Sequence, residues 1–241
     1  MANIQLVRVR VVKVGPVTVP VVLAALMGAI LVLSIAGVAG ARNGMPTLLE
    51  HGLLEVPAVW QGQVWRLVTF VLFELGPISL IFSFLVLTWF GADLVARWGT
   101  RRFLAVFFGL AAIAGAVTCL IGLGWQMVTL VPHAGSAPVL DGLVVAWGIF
   151  FKEREVRLWG VVRLTGRWLI VATIAGTVLY ALYEGLAFFV PHFATELVTL
   201  LWLAGIQPWR DRRRRRRIAQ AARGEAWSFQ TWYERERRRR R

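Results

Sequence analysis

The sequence predicts an all-α integral membrane fold of six transmembrane helices, and three observations lead there. Apolar residues make up 58% of the 241-residue chain, with mean hydropathy +0.64. They come in long blocks instead of short amphipathic stripes, and a hydrocarbon core of ~30 Å needs about 20 such residues per helix. The basic residues between the blocks then fall into two alternating classes of loop. Backbone groups in lipid must be satisfied locally, so helices are the default spanning element, and the alternating pattern of a membrane barrel is absent.

The chain opens with a short arm, residues 1–16, in which Val and Leu alternate with Arg8, Arg10 and Lys13 up to the Gly15-Pro16 break. This predicts an extended segment followed by a turn. The first span is expected over Val17–Ala39 and is too long for a signal-peptide core, so it reads as an uncleaved signal-anchor. From Ala41 to Arg66 the charges nearly cancel, and Trp60 and Trp65 suit a membrane interface. That segment predicts an interfacial loop on the outer side between helices 1 and 2.

The second span is expected over Ile78–Ala96, followed by a tight basic turn from Arg97 to Arg102. The third, Phe103–Leu123, carries Gly109, Ala111, Ala112, Ala114, Gly115 and Ala116, small residues that let helices approach closely. It is therefore expected inside the bundle. A linker without Lys or Arg, Gly124–Ser136, leads to a short fourth span over Ala137–Phe151. A basic stretch to Arg167 precedes the fifth span, Trp168–Phe189, and the sixth ends near Gln207. The membrane domain thus covers residues 17–207.

Loop charge sets the orientation. The arm, the 97–102 turn, the 152–167 loop and the tail carry Arg or Lys, whereas 41–66, 124–136 and 184–196 are nearly bare. Strict alternation over seven segments predicts both ends in the cytoplasm by the positive-inside rule. The Arg bias, with only Lys13 and Lys152 as lysines, together with the Ala, Gly, Val and Leu richness, matches a high-GC bacterial genome, so the expected location is a bacterial cytoplasmic (inner) membrane.

The lone Cys119 excludes an intramolecular disulfide framework and a cysteine zinc site, and it reads as a small buried hydrophobe. No metal-ligand cluster, phosphate-cradling glycine loop or nucleotide motif is present, so no cofactor is expected. Gly135, Gly142 and Gly148 read as packing contacts. Intramembrane acids are functional candidates, and Asp141 lies deepest, with Glu184 and Glu196 nearer span ends.

Gln61-Gly62-Gln63-Val64-Trp65-Arg66-Leu67-Val68-Thr69-Phe70 resembles the "GQ-x-WRL-x-T-x-F" signature in the first outer loop of rhomboids. The likeness continues through Phe90-Gly91-Ala92-Asp93-Leu94, Trp98-Gly99 and Arg102-Phe103-Leu104. Rhomboids are intramembrane serine proteases, so the resemblance implies the six-helix rhomboid bundle, with Trp65, Arg66, Gly91, Trp98 and Gly99 as structural motif residues.

The resemblance also implies where a Ser–His dyad and its oxyanion donors belong, and those positions are degenerate here. The second-helix donor pair falls on Ser79 and Ser83. The "G-x-S-G" of the fourth helix aligns with Gly135-Ser136-Ala137-Pro138, placing Ala137 at the nucleophile position. The "H-x-x-H" of the sixth aligns with His192-Phe193-Ala194-Thr195, placing Thr195 at the base position. Glu196, Leu197 and Val198 replace residues that are small in the family. A hydroxyl nucleophile needs an adjacent base and the oxyanion needs donors, so this register predicts a pseudoprotease. That implies a scaffold, client-binding or accessory subunit of a membrane complex. The alternative is a divergent protease in which Ser136, one residue earlier, pairs with His192. A transporter or channel is a third class, and it would rest on Asp141.

Residues 208–241 form an Arg-rich tail in which fourteen arginines face Asp211, Glu225, Glu234 and Glu236. Arg212, Arg213, Arg214, Arg215, Arg216, Arg217, Arg237 and Arg238 are the candidate contacts, with Trp227 and Trp232 interleaved. Such a run attracts anionic lipid, at about 1 kcal/mol per basic residue. It also fits a topology-fixing flank, an acidic protein partner and, least well, the phosphates of a nucleic acid. The expected partners overall are the bilayer, other membrane proteins and one of these tail ligands.

Overall fold

The computed structural model describes residues 11–14, 17–45, 47–158, 162–203 and 205. The tail residues singled out above lie outside them. Two units are distinguished, residues 1–200 and 201–241. Of the second, Leu201–Leu203 and Gly205 are described, and all are helical.

Short extended segments come first: β1 (Val11–Val14) pairs antiparallel with β2 (Val17–Pro20). Residues 17–20, expected to open the first span, are a strand instead, because Pro20 cannot donate within a helix and sits at the N-cap of α1. Helix α1 (Val21–Arg42) then runs three residues further than expected before Asn43 ends it. Between α1 and the second span lie α2 (Thr47–Gly52), α3 (Val56–Trp60) and α4 (Arg66–Thr69), with a 3₁₀ turn at Phe70–Leu72. Three short helices thus replace the uniform loop expected there.

The second span comprises α5 (Pro77–Val86) and α6 (Ala92–Trp98), joined by a π-helical turn at Leu87–Gly91. Gly99 closes it at φ +80°, a left-handed conformation suited to glycine, and α7 (Thr100–Gly122) starts directly afterwards. The one-residue connection explains the Trp98-Gly99 motif: Trp98 packs edge-on to Phe150 at 5.7 Å while Gly99 makes the bend. Gly91 also serves packing, since a Cβ there would meet Leu23 of α1 at 3.3 Å. As expected for an inner helix, α7 buries Ala111, Ala114 and Gly115, and a Cβ on Gly115 would stand 3.0 Å from the Leu67 backbone.

A short α8 (Gln126–Thr129) precedes α9 (Ala137–Phe150). At ~1.5 Å per residue, α9 is about 21 Å long, too short to cross the hydrocarbon alone. Its surroundings remove that requirement: ten of its fourteen residues are buried against protein, Trp147 and Leu143 almost wholly. Next comes a hairpin, β3 (Glu155–Leu158) and β4 (Val162–Thr165), where a basic loop was expected. Helix α10 (Gly166–Glu184) ends at Gly185 with φ +109°, five residues before the expected boundary, and α11 (Leu186–Leu203) follows.

Among the described residues, five helical segments are long and apolar enough to cross a membrane: α1, the α5–α6 pair, α7, α10 and α11. With the shorter apolar α9 they give the expected six-helix order. The core centres on α9 and α7, with Phe103, Phe107, Leu143 and Trp147 all but inaccessible. Large apolar residues on α1, α5 and α10, among them Val32, Ile78 and Leu182, face outward, as lipid-facing residues do.

Candidate functional site

The loop before α5 delivers an acid to the N-terminal end of α9. Gly135 takes φ +95° and donates its N–H to the Phe70 carbonyl at 3.0 Å, so the chain turns sharply into Ser136. Glu74, just after the 3₁₀ turn, is buried beside this bend, and a Cβ on Gly135 would lie 3.0 Å from its Oε2. Oε1 of Glu74 accepts the Ser136 backbone N–H at 2.9 Å and the Ser136 hydroxyl at 2.7 Å. The same oxygen accepts the Ser83 hydroxyl at 2.8 Å, and the two hydroxyl oxygens stand 3.0 Å apart. The Glu74 N–H in turn donates to Ser34 Oγ at 2.8 Å, tying α1 into the knot. A carboxylate at the start of a helix satisfies one of its free N–H groups and complements the dipole.

The candidate residues therefore separate. Ser83 and Ser136 come together on Glu74, both buried, Ser136 with no exposed surface. Ser79 does not join them; it is exposed and its hydroxyl donates to the Gly76 carbonyl at 2.8 Å. Ala137 is half-buried at the first turn of α9. Thr195 is buried, and its hydroxyl is shared between the Pro138 carbonyl of α9 and the His192 carbonyl. It thus bridges α9 and α11 at the position where the resemblance expects a base.

His192 belongs to a second cluster. Its Nδ1 is 2.6 Å from Asp141 Oδ2, so the deepest acid of the fourth span has a specific partner. Among the described residues the Ser136 hydroxyl is bonded to Glu74 and Ser83, and the His192 ring to Asp141; no hydrogen bond joins Ser136 to His192. Glu196, expected near a span end, is buried and accepts the Thr177 hydroxyl of α10 at 2.7 Å. Gly142 makes room for this face, since a Cβ would meet Thr195 and Thr199 at 3.2 Å.

His133 is buried, and its backbone pairs with Leu54 in an isolated antiparallel bridge. Burial, with the neighbouring His192 charge, holds its imidazole at about 4, below the usual histidine range; the Phe188 carbonyl pulls weakly the other way. Its Nε2 has no partner among the described residues.

The loop motif is stitched by side chains onto carbonyls. Arg66 is buried and donates to the Leu53 carbonyl at 2.8 Å and Gln63 Oε1 at 2.7 Å, with Glu55 at 3.7 Å. Trp65 Nε1 donates to the His51 carbonyl and Thr69 Oγ1 to that of Gly52. At the far end of α9, Asp93 Oδ2 accepts both Trp147 Nε1 and Arg154 Nη1 at 2.8 Å, which explains an acid in the Phe90–Leu94 motif.

Sequence reasoning missed Glu74. The signal was there, since an acid between Phe73 and Leu75 at the edge of a span is costly to bury without donors.

Among curated proteins, none matches the chain. The family model of the Rhomboid domain matches residues 61–206, from the Gln61–Phe70 signature through α11 and beyond it. That stretch exceeds half of the chain and carries the helices from α4 to α11, so the protein belongs to the rhomboid family.

Proposed function

We propose that this is a non-catalytic rhomboid-like protein, acting as a scaffold, client-binding or accessory subunit of a membrane complex. Its place would be a bacterial cytoplasmic membrane, with both ends on the cytoplasmic side. The observation that carries the reading is the pairing of hydroxyls and acids. Hydrolysis by a serine needs an imidazole or equivalent base on the hydroxyl and free donors for the oxyanion. Here the Ser136 hydroxyl lies on the Glu74 carboxylate, without exposed surface, and the His192 ring is engaged with Asp141. Ser83, at one of the donor positions, points its hydroxyl at the same carboxylate. What is retained is the framework: the Arg66 anchor, the Gly99 bend and the buried α9.

Two measurements test it. The purified full chain, incubated with a fluorophosphonate, is expected to stay unlabelled; labelling lost in Ser136→Ala but kept in Ser83→Ala would overturn the reading in favour of a divergent protease. Extraction in a mild detergent is expected to bring down other membrane proteins in fixed ratio. Recovery of the chain alone would count against a subunit role.

A further inference from the structure

We propose that the cleft between α1 and the start of α5 holds one anionic glycerophospholipid, its phosphate on Arg42 and an acyl chain along the cleft. The cleft has a volume of about 590 Å³, within the range of small-molecule sites, ~300–1,000 Å³. Its walls are apolar, with Ile35, Val38 and Ala39 on one side and Leu75 and Leu80 on the other. Polar groups occur at its two ends, and those ends differ in what they leave unsatisfied.

At the deep end, Ser34 and Glu74 line the cleft, with Ser34 Oγ and Glu74 Oε1 already committed. Ser34 Oγ accepts the Glu74 N–H and lies 3.4 Å from the Leu72 carbonyl, and Glu74 takes three donors from Ser83 and Ser136. A ligand placed there meets no free hydrogen-bond donor of Ser34 or Glu74, so the deep end has nothing to hold a phosphate.

At the mouth, Arg42 is exposed and makes no ion pair or side-chain hydrogen bond among the described residues. Beside it, Asn43 Nδ2 is spent on the Ala39 carbonyl at 2.9 Å. The position of Arg42 follows from length. Helix α1 has 22 residues, about 33 Å of rise against a hydrocarbon core of ~30 Å, so its last residue reaches the headgroup layer. Ser34 then lies about 12 Å deeper along the same helix. A guanidinium fork at headgroup depth matches a phosphate bidentately, and the apolar cleft below it matches the attached chain. The inference is independent of whether the chain hydrolyses peptides.

The test uses the full chain in phosphatidylcholine nanodiscs containing a little phosphatidylglycerol with a photoreactive group on one acyl chain. Crosslinks are expected to concentrate on peptides bearing Ile35–Arg42 and Leu75–Leu80. They should fall about fivefold in Arg42→Ala, recover in Arg42→Lys, and be blocked by Ala39→Phe; both positions are exposed, so neither change disturbs the core. Unlabelled phosphatidylglycerol should compete at least fivefold better than diacylglycerol, which lacks the phosphate, or glycerol phosphate, which lacks the chains. Labelling spread over all outward-facing helices, or unchanged by both substitutions, would overturn the site; the latter is the pattern if the arginine tail alone holds the lipid. Equal competition by glycerol phosphate would also overturn it.

Discussion

One oxygen of the Glu74 carboxylate holds both the backbone N–H and the hydroxyl of Ser136, 62 residues further along the chain, at 2.9 and 2.7 Å. Through Ser83 and Ser34 the same residue also joins α5 and α1. Glu74→Ala would leave the Ser136 N–H and the Ser83 hydroxyl buried without an acceptor and the Ser136 hydroxyl with Ser83 Oγ alone, at roughly 3 kcal/mol. Glu74→Gln keeps an acceptor oxygen and loses only the charge, at about 1 kcal/mol. Thermal unfolding of the two variants in mild detergent checks this. Equal losses would mean that the charge, and not the acceptor, carries the knot.

Gly148 of α9 faces the first turn of α10 so closely that a Cβ would stand 2.6 Å from the Gly166 carbonyl oxygen and 2.6 Å from Ile170 Cγ1. Because one of those atoms is backbone, the helices themselves would have to part. Gly148→Ala is expected to destabilise by about 1–3 kcal/mol, the usual cost of overpacking. Gly28→Ala on α1, with nothing within 4 Å, is the control and should be neutral or gain up to about 1 kcal/mol from helix propensity. Matching unfolding curves for the two variants would refute the close α9–α10 approach.

Arg66 is read by geometry and not by charge alone. Its Nη1 and Nε reach the Leu53 carbonyl and Gln63 in different directions, which a guanidinium manages and an ammonium on a flexible stem does not. Arg66→Lys is therefore expected to cost about 1–2 kcal/mol despite conserving charge. Proteolysis of detergent-solubilised protein should show earlier cleavage between Gly52 and Trp65. A cleavage pattern identical to wild type would show that the loop is held by other contacts.

The helix count and order were legible because hydropathy over twenty residues is a strong signal. Small motifs were legible where they encode backbone geometry, as at Gly99, whose positive φ makes the one-residue bend between α6 and α7. What stayed hidden was pairing at a distance. Nothing near Glu74 in the sequence says that Ser136 will meet it, and nothing near Asp141 says that His192 will, because both pairings depend on helix rotation and depth. The strand at 17–20 and the pair over 155–165 were missed for another reason: each strand is four residues long, too short for its alternation to stand out beside neighbouring apolar blocks. Helix ends shifted by several residues where a capping proline or glycine, and not hydropathy, decided the boundary, as at Pro20 and Gly185.

His133 gives the protein a measurable pH dependence. Burial, with the charge of His192 nearby, holds the His133 imidazole at about 4, against an ordinary 6.5. Above about pH 6.5 the ring is neutral both folded and unfolded, so it costs nothing. As pH falls from 6.5 towards 4, the unfolded chain takes a proton that the folded one refuses, and stability drops by up to ~1.4 kcal/mol per pH unit. The full loss over that window is about 3 kcal/mol, and below pH 4 it levels off. His133→Gln keeps a polar side chain that does not titrate, so its stability should fall less steeply between pH 6.5 and 4 than that of the wild type. The comparison is made by denaturant unfolding in one detergent at fixed ionic strength. Because His192 and Asp141 remain in the variant, any slope they contribute is common to both proteins and cancels. Parallel pH profiles would therefore place the titrating group elsewhere than at the Leu54–His133 bridge.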